Sequence, residues 1–205
     1  MAYDTLASKD TVTKTIAALE GHNFRAEVVA TKEEALARVK ELIPAGASVM
    51  NGSSRTLEEI GFVEYLKAGE HGWNNLHAGI LKEQDPAEQA KLRRESTVSD
   101  FYLGSAHAVT EEGELFFASN SGSQLPHLAF SSPNVILVVG THKIVPTLKD
   151  VEGRMHDRII PLEDENMRQK YGTGTSWNKS LILHNENPHM GRTVRVIFVE
   201  EVLGF

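Results

Sequence analysis

One short segment of small and hydroxyl-bearing residues could hold an anion. The segment Gly52-Ser53-Ser54-Arg55-Thr56 follows an apolar run and precedes a predicted helix. Small residues let backbone N–H groups approach a ligand, hydroxyls add hydrogen-bond donors, and a helix N-terminus favours negative charge. The same residues are also typical of a helix start that is capped by serine or threonine and binds nothing. Both interpretations stay open.

Two further segments have related chemistry. Asn120-Ser121-Gly122-Ser123-Gln124 precedes a short predicted helix, and Thr141-His142-Lys143 follows the most apolar predicted strand. Backbone and side-chain donors in residues 120–124 could bind an anion, and the Lys143 ammonium could neutralise it. The alternatives are an ordinary turn for residues 120–124 and a surface lysine at position 143.

The predicted order of elements brings these segments together. In an open α/β sheet, ligands bind beyond the carboxyl ends of the strands. Residues 52–56 and 141–143 both leave predicted parallel strands at that edge, and Gly104-Ser105-Ala106-His107 leaves another. We therefore expect the turns 52–56 and 120–124 to face one anion-binding pocket, with Lys143 or Arg55 as the counter-charge.

His107 comes just after a predicted strand, which places it at the rim of the expected pocket. There we expect a partly exposed ring that titrates near the ordinary histidine pKa of about 6.5. The alternative is a histidine packed in the core and hydrogen-bonded to the backbone.

The sequence contains no motif for a bound nucleotide, metal or redox cofactor. The Walker pattern GxxxxGK[ST], the dinucleotide pattern GxGxxG and the hydrolase pattern GxSxG are all missing. The chain has no cysteine, which excludes disulfides and thiolate-held zinc or iron–sulfur sites. His184 and His189 lack helical metal-pair spacing and a clear third ligand. We therefore expect neither a metal nor a cofactor.

The elements that position these residues alternate between strands and helices. Strands are predicted at residues 24–30, 47–50, 101–103, 115–118, 134–139 and 193–199, with residues 135–139 buried on both faces. An N-terminal helix is expected within residues 1–22, and residues 67–84 are expected to be irregular. This order predicts an α/β fold, a three-layer α/β/α sandwich around a mostly parallel sheet, as one domain over residues 1–205.

The composition excludes several classes of protein. The 205 residues include 28 acidic and 21 basic side chains, for a net charge of −7. This balance argues against binding to nucleic acid or anionic membranes. No run approaches the ~20 apolar residues of a membrane span, and the first residues lack the pattern of a signal peptide. We expect a cytoplasmic protein.

Three stretches resemble the LUD domain family, named for lactate-utilisation proteins and including lactate-utilisation protein C. They are MNGSSRTLEEIG, SDFYLGSAHAVTEEGELFFASNSGSQLPHLAF and NVILVVGTHKIVPTL, and the ending TVRVIFVEEVLGF is also similar. More distantly, they resemble the NagB/RpiA/CoA-transferase-like superfamily, whose sugar-phosphate isomerases bind phosphate on a Gly-Ser-Thr-type loop. By position, the resemblance assigns ligand binding to Gly52, Ser53, Ser54, Thr56, Gly122, Ser123, Gln124 and Lys143. The polar chemistry of the 120–124 turn adds Asn120 to this set.

Two functions of different class follow from the resemblance. The first is an accessory or regulatory subunit in lactate oxidation that binds a small carboxylate or phosphate and joins iron–sulfur oxidoreductase subunits. The second is an isomerase or acyl-transferase-type enzyme that uses His107 or Glu111 as general base. The isomerases have an acid where this chain has Ala106-His107, and Glu111 matches a glutamate common in LUD domains.

Overall fold

A six-stranded sheet, parallel throughout, forms the centre of the fold. Its strands lie in the order β1-β10-β7-β4-β2-β3. The computed structural model describes residues 3–205. The strands are β1 (Arg25–Val29), β2 (Ser48–Asn51), β3 (Asn74–Asn75), β4 (Phe101–Gly104), β5 (Ala108–Thr110), β6 (Leu115–Ser119), β7 (Asn134–Gly140), β8 (Ile144–Val145), β9 (Lys179–Leu183) and β10 (Thr193–Val199).

The helices cover the sheet and connect its strands. They are α1 (Lys9–Gly21), α2 (Lys32–Leu42), α3 (Arg55–Glu59), α4 (Phe62–Ala68), α5 (Leu76–Lys82), α6 (Pro86–Glu95), α7 (Leu148–Arg154) and α8 (Ile160–Tyr171). Two π-helical segments add to them, His127–Ser131 and Met155–Ile159. The second of these joins α7 to α8. None of the helices in residues 3–205 is long and apolar enough to cross a membrane.

Strand β7 has the central position that its sequence predicts. It lies between β10 and β4, and residues 135–139 are all buried. Ile136 and Val138 pack into the core on one face, where α2, α3 and α4 cover the sheet. Val135, Leu137 and Val139 pack on the other face against α1 and a second sheet. An uninterrupted apolar run suits this strand because both of its faces are covered.

The second sheet was not predicted as a separate unit. Its four strands lie in the order β8-β5-β6-β9, with mixed parallel and antiparallel pairing. The predicted strand at residues 115–118 is therefore present, but it belongs to this sheet. β5 and β8 are too short to show a period of two, and β9 is half exposed. The predicted three-layer α/β/α arrangement around a mostly parallel sheet is confirmed, with the small sheet inside the third layer.

Several local predictions need correction. Residues 67–84, expected to be irregular, contain β3 and α5, and the Asn75 side chain caps α5 by accepting the Ala78 N–H. The helix expected within residues 1–22 spans Lys9–Gly21 with Ser8 as its N-cap. Residues 1 and 2 lie outside the described residues.

Candidate functional site

Three neighbouring parallel strands deliver their following loops to one edge of the main sheet. β4 pairs with both β2 and β7, so residues 52–56, 105–107 and 141–143 leave the sheet side by side. Gly52, Ser105 and Thr141 are the first residues after these three strands. This is the edge at which open α/β sheets bind ligands.

A cavity of two joined compartments lies at this edge. The large compartment has a volume of about 380 Å³ and is lined by Gly52, Ser53 and residues of the 119–124 turn. The small compartment has about 80 Å³ and contains Ser53, Ser54, Thr56 and Lys143 in its walls. Ser53, His107, Gln124, Ile159 and Glu163 line both. The two predicted turns therefore face one shared cavity.

Most residues predicted to bind the ligand reach this cavity, but not all do. Asn120, Ser123 and Gln124 line the large compartment, whereas Gly122 does not. Gly122 instead has a φ of +89° and packs against the aliphatic part of Lys179, which explains the glycine. Gly122 thus shapes the turn and leaves ligand contact to its neighbours.

Thr56 has a different role from the one predicted. The Ser54 side chain, and not that of Thr56, caps α3 by accepting the Leu57 N–H, and the helix begins at Arg55. The Thr56 side chain is 1% exposed and its hydroxyl accepts from the Lys143 ammonium at 3.0 Å. Thr56 therefore positions the lysine.

Lys143 is a buried cation that faces the small compartment. It is 3% exposed and donates to the Thr56 and Ser105 hydroxyls at 3.0 and 3.2 Å. No carboxylate within residues 3–205 lies within ion-pair distance of it. Burial and the charge of Arg154 together lower the Lys143 pKa to about 7, against the opposing effect of Glu59. A buried charge without an ionic partner is costly, and an anion in the cavity would offset that cost.

Further positive charge stands behind the small compartment. The Arg154 guanidinium is fully buried and donates to the backbone oxygens of His107, His142 and Tyr3. These backbone oxygens are not ionised, so they do not neutralise the positive charge of the guanidinium. Arg158 adds to that field, because it lowers the pKa of both Lys143 and Arg154. Three cationic side chains therefore act on one another at this end of the cavity, although the chain carries a net charge of −7.

His107 lies where predicted but in a different protonation state. The ring is partly exposed to both compartments. Enclosure by protein, together with the charges of Lys143 and Arg154, lowers its pKa to about 3, so the expected titration near 6.5 is wrong. Nδ1 accepts the Ala118 N–H at 3.2 Å, so the proton of the neutral ring lies on Nε2. This ring offers a ligand a hydrogen-bond donor, which is unlike the general base of the enzyme hypothesis.

Glu111 is not brought to the cavity. It follows β5 and forms an ion pair with Lys14 of α1 at 3.0 Å, away from the residues that line either compartment. His184, one of the two loop histidines considered for a metal, lies against Glu114 at 3.0 Å. Residues 3–205 hold no cluster of three His, Asp or Glu side chains suited to a metal.

The carboxylate that does line the cavity is Glu163, which sequence reasoning missed. It lies in the first turn of α8 and faces both compartments. Burial raises its pKa, against a hydrogen bond from Asn166 and the charge of Lys170. No strand end or glycine-rich turn marks this position in the sequence. Only the path of the π-helical segment Met155–Ile159 carries Glu163 to the sheet edge.

A tyrosine fixes the relative position of the two turns. Tyr102 of β4 is buried, and its hydroxyl donates to Gln124 Oε1 at 3.4 Å. Gln124 in turn donates to the Ala118 carbonyl at 2.9 Å. A Cβ at Gly52 would lie 2.8 Å from the Tyr102 hydroxyl, so only glycine fits there. The 52–56 and 120–124 turns are thus held against one shared group.

The segment after β10 closes the small compartment from the other side. Gly204 has a φ of +66°, and a Cβ there would lie 2.4 Å from Thr56 Oγ1 and 3.0 Å from Lys143 Nζ. Its N–H donates to Glu59 Oε2 at 2.6 Å, and Phe205 lines the small compartment. The glycine therefore lets this segment reach the lysine.

Replacing Gly204 with Ala is expected to lower the free energy of unfolding by about 2 kcal/mol. It should also weaken anion binding at least tenfold, because Thr56 and Lys143 must move. The matched control is Gly191→Ala, since Gly191 has a φ of +67° but nothing within 4 Å of its Cβ position. Urea unfolding and calorimetric titration with lactate check both effects. Equal losses in the two variants would contradict the assigned contact.

The chain was compared with known families and structures. A model of the LUD domain matches residues 12–199. The crystal structure of a DUF162 family protein from Deinococcus radiodurans is similar, with a TM-score of 0.55 and 13% sequence identity. The match covers 95% of this chain and 98% of that chain. At this identity, the likeness concerns the fold alone. No curated protein matches the chain.

Proposed function

We propose that this protein binds a small carboxylate at Lys143. The premise is that the chain belongs to the LUD domain family and is a lactate-utilisation-type protein. In this proposal the protein is an accessory or regulatory subunit in lactate oxidation, and its partners are iron–sulfur oxidoreductase subunits. The ligand is lactate or a chemically related acid. A phosphate of similar charge is the competing ligand.

One observation carries the proposal: the Lys143 ammonium is buried beside a cavity and lacks an ionic partner among the described residues. Its two hydrogen-bond partners are hydroxyls, which leaves its charge uncompensated. Arg154 and Arg158 strengthen the positive potential at the same place. Of the two counter-charges considered from the sequence, Arg55 is already paired with Glu58 and Glu59. Lys143 is therefore the better partner for an anion.

The surrounding donors suit a carboxylate that also carries an oxygen on the next carbon. The neutral His107 ring offers Nε2–H, and Ser53 and Ser54 offer hydroxyls along the small compartment. Glu163 would accept the hydroxyl hydrogen of a 2-hydroxy acid.

The enzyme alternative stays a hypothesis with a changed candidate base. With Glu111 paired to Lys14 and the His107 Nδ1 occupied, Glu163 is the carboxylate in the cavity that could accept a proton. A base must reach its proton directly or through one water. Turnover of a carboxylate or sugar phosphate by the isolated protein, lost in Glu163→Gln, would favour this alternative over the binding role.

A charge placed at residue 54 tests the binding proposal. Ser54 lines the small compartment and caps α3. Ser54→Asp keeps a good N-cap residue while it adds a negative charge near Lys143, and Ser54→Asn keeps the cap without the charge. We expect lactate and inorganic phosphate to stabilise the wild type and Ser54→Asn, but not Ser54→Asp, in thermal unfolding. A ligand at 100 times its Kd stabilises by about 2.7 kcal/mol.

The comparison of the two variants decides the result. If Ser54→Asp binds either anion as tightly as the wild type does, the anion is not held in the small compartment. If neither variant binds lactate or phosphate, the Ser54 hydroxyl itself is required for binding. The role of charge is then tested with Lys143→Met.

A further inference from the structure

The large compartment differs in chemistry from the small one. Part of its lining, here called the apolar wall, consists of apolar side chains, namely Ala118, Met155, Ile159, Ile160, Met167 and Trp177. Polar residues from the 119–124 turn, together with Thr175 and Ser176, form another part. At about 380 Å³, the volume falls within the range of about 300–1,000 Å³ typical of sites for small organic ligands.

Lactate would leave most of this space unfilled. A liquid water occupies about 30 Å³, so the large compartment has the volume of about a dozen waters. Lactate has six non-hydrogen atoms, and the small compartment around Lys143 would already take its charged end. An apolar wall beside an anion site therefore points to a ligand that carries an apolar group in addition to its charged end.

The apolar wall is built and held in place by specific features. The π-helical segment Met155–Ile159 widens the helix between α7 and α8, and it turns both of its end residues toward the cavity. π-Helical turns are rare and occur often at functional sites. The Trp177 ring is fixed by its N–H bond to the Ser180 hydroxyl at 2.7 Å and by an edge contact with Phe116. This wall is pre-formed, which favours binding of an apolar group.

We infer that the ligand is a carboxylate with an apolar body, such as a 2-hydroxy acid with a longer alkyl chain or an aromatic ring. Its carboxylate lies in the small compartment and its apolar body lies against Ile159, Met167 and Trp177. This inference rests on the proposed function, because Lys143 supplies the charge that orients the ligand. It assigns the large compartment as the part of the site that selects among 2-hydroxy acids.

A ligand series of increasing length tests this inference. Lactate, 2-hydroxybutyrate, 2-hydroxyhexanoate and 3-phenyllactate are titrated calorimetrically against the wild-type protein. We expect the affinity to rise about fourfold for each added buried methylene, with phenyllactate among the tighter ligands. Emission from Trp177 should change with the longer ligands, and this change should be lost in Trp177→Phe.

Matched variants separate the two parts of the site. Met167→Gln places a polar group of similar length on the apolar wall, and Met190→Gln makes the same change at an exposed position outside the cavity. We expect Met167→Gln to lower the affinity for 2-hydroxyhexanoate at least fivefold, while the affinity for lactate changes less than twofold. Met190→Gln should change neither.

The possible failures are distinguishable. If affinity is flat along the series, or if Met167→Gln has no selective effect, while Lys143→Met still removes lactate binding, this inference is overturned and the proposed function stands. If neither lactate nor any longer acid binds at millimolar concentration, both are overturned.

Discussion

Lys143→Met is expected to remove anion binding and, at the same time, to stabilise the folded protein at neutral pH. The ammonium is the charge that faces the small compartment, so lactate and phosphate should no longer raise the unfolding temperature of the variant. The buried charge is also costly, since the Lys143 pKa lies at about 7 in place of 10.5. A methionine of similar length fills the same space without this cost.

The sign of the stability change depends on pH. Between pH 7 and 10.5 the unfolded chain keeps a proton on Lys143 that the folded protein has released, so wild-type stability rises with pH across this window. Below pH 7 both states are protonated and the cost is complete. We expect Lys143→Met to raise the free energy of unfolding by about 2 kcal/mol at pH 7, since two hydroxyls lose a donor. The gain should shrink towards pH 10.

Urea unfolding at pH 7 and pH 10, with and without lactate, measures both effects. The control is Lys149→Met, which removes an exposed lysine of α7 and should change neither stability nor binding. A variant at position 143 that loses stability at pH 7, or that still binds lactate, would contradict the assignment of Lys143 as an uncompensated cation.

Mild acid is expected to destabilise the protein strongly. His127 and His142 are 2% and 3% exposed, and burial lowers their pKa values to about 4 and about 2. In the unfolded chain both take a proton near pH 6.5. The unfolded state therefore binds more protons below this pH, and stability is lost as pH falls. From pH 7 to pH 5 the loss should be about 4 kcal/mol from these two histidines.

Two other cavity groups modify this profile in opposite directions. His107, with a pKa of about 3, adds to the loss, although its partial exposure reduces the effect. Glu163 acts the other way, because a carboxyl with a raised pKa takes up its proton earlier in the folded protein. The net effect remains a loss, because three histidines oppose one carboxyl.

Urea unfolding at unit steps from pH 8 to pH 5 measures the profile. His142→Phe should remove roughly half of the acid dependence, because the phenyl ring has no proton to gain. His189→Asn is the control, since His189 is exposed and lies outside the residues that line the cavity. A profile that is flat from pH 7 to pH 5 would mean that these histidines are hydrated in the folded protein.

The sequence predicts the sheet edge well because its signals there are local. An apolar run that ends in small polar residues marks a buried strand and the loop after it, and this pattern placed residues 52–56 and 141–143 correctly. The convergence of residues 52–56 and 141–143 followed from a general property of parallel sheets. The turn at residues 120–124, in contrast, follows β6 of the second sheet. The environments of the side chains could not be predicted from these local patterns. The low pKa of His107 depends partly on Arg154, and Lys143 is approached by the segment around Gly204. Both are distant in sequence from the residues they affect.

The elements and residues that the sequence did not predict share one physical cause: tertiary contacts place them, and local sequence patterns do not. β5 and β8 have only three and two residues, so their pairing is decided by tertiary contacts and leaves no periodic pattern. Glu163 reaches the cavity because a π-helical segment shifts the helix that follows it, α8. A π-helical turn differs from an α-helical turn by about one inserted residue, and this difference leaves no signal in the amino-acid composition. Glu111, in contrast, was assigned by positional resemblance, and the structure pairs it with α1.

The strand order also has a consequence for synthesis of the protein. β1 lies at the edge of the main sheet and pairs with β10, whose residues follow about 170 positions later. On the ribosome, almost the whole chain is made before the neighbour of β1 emerges, and one side of β7 also stays unpaired until β10 is made. Such high contact order slows folding and leaves apolar strands unpaired during translation. Nascent chains that stop before residue 193 should therefore depend on chaperones to stay unaggregated.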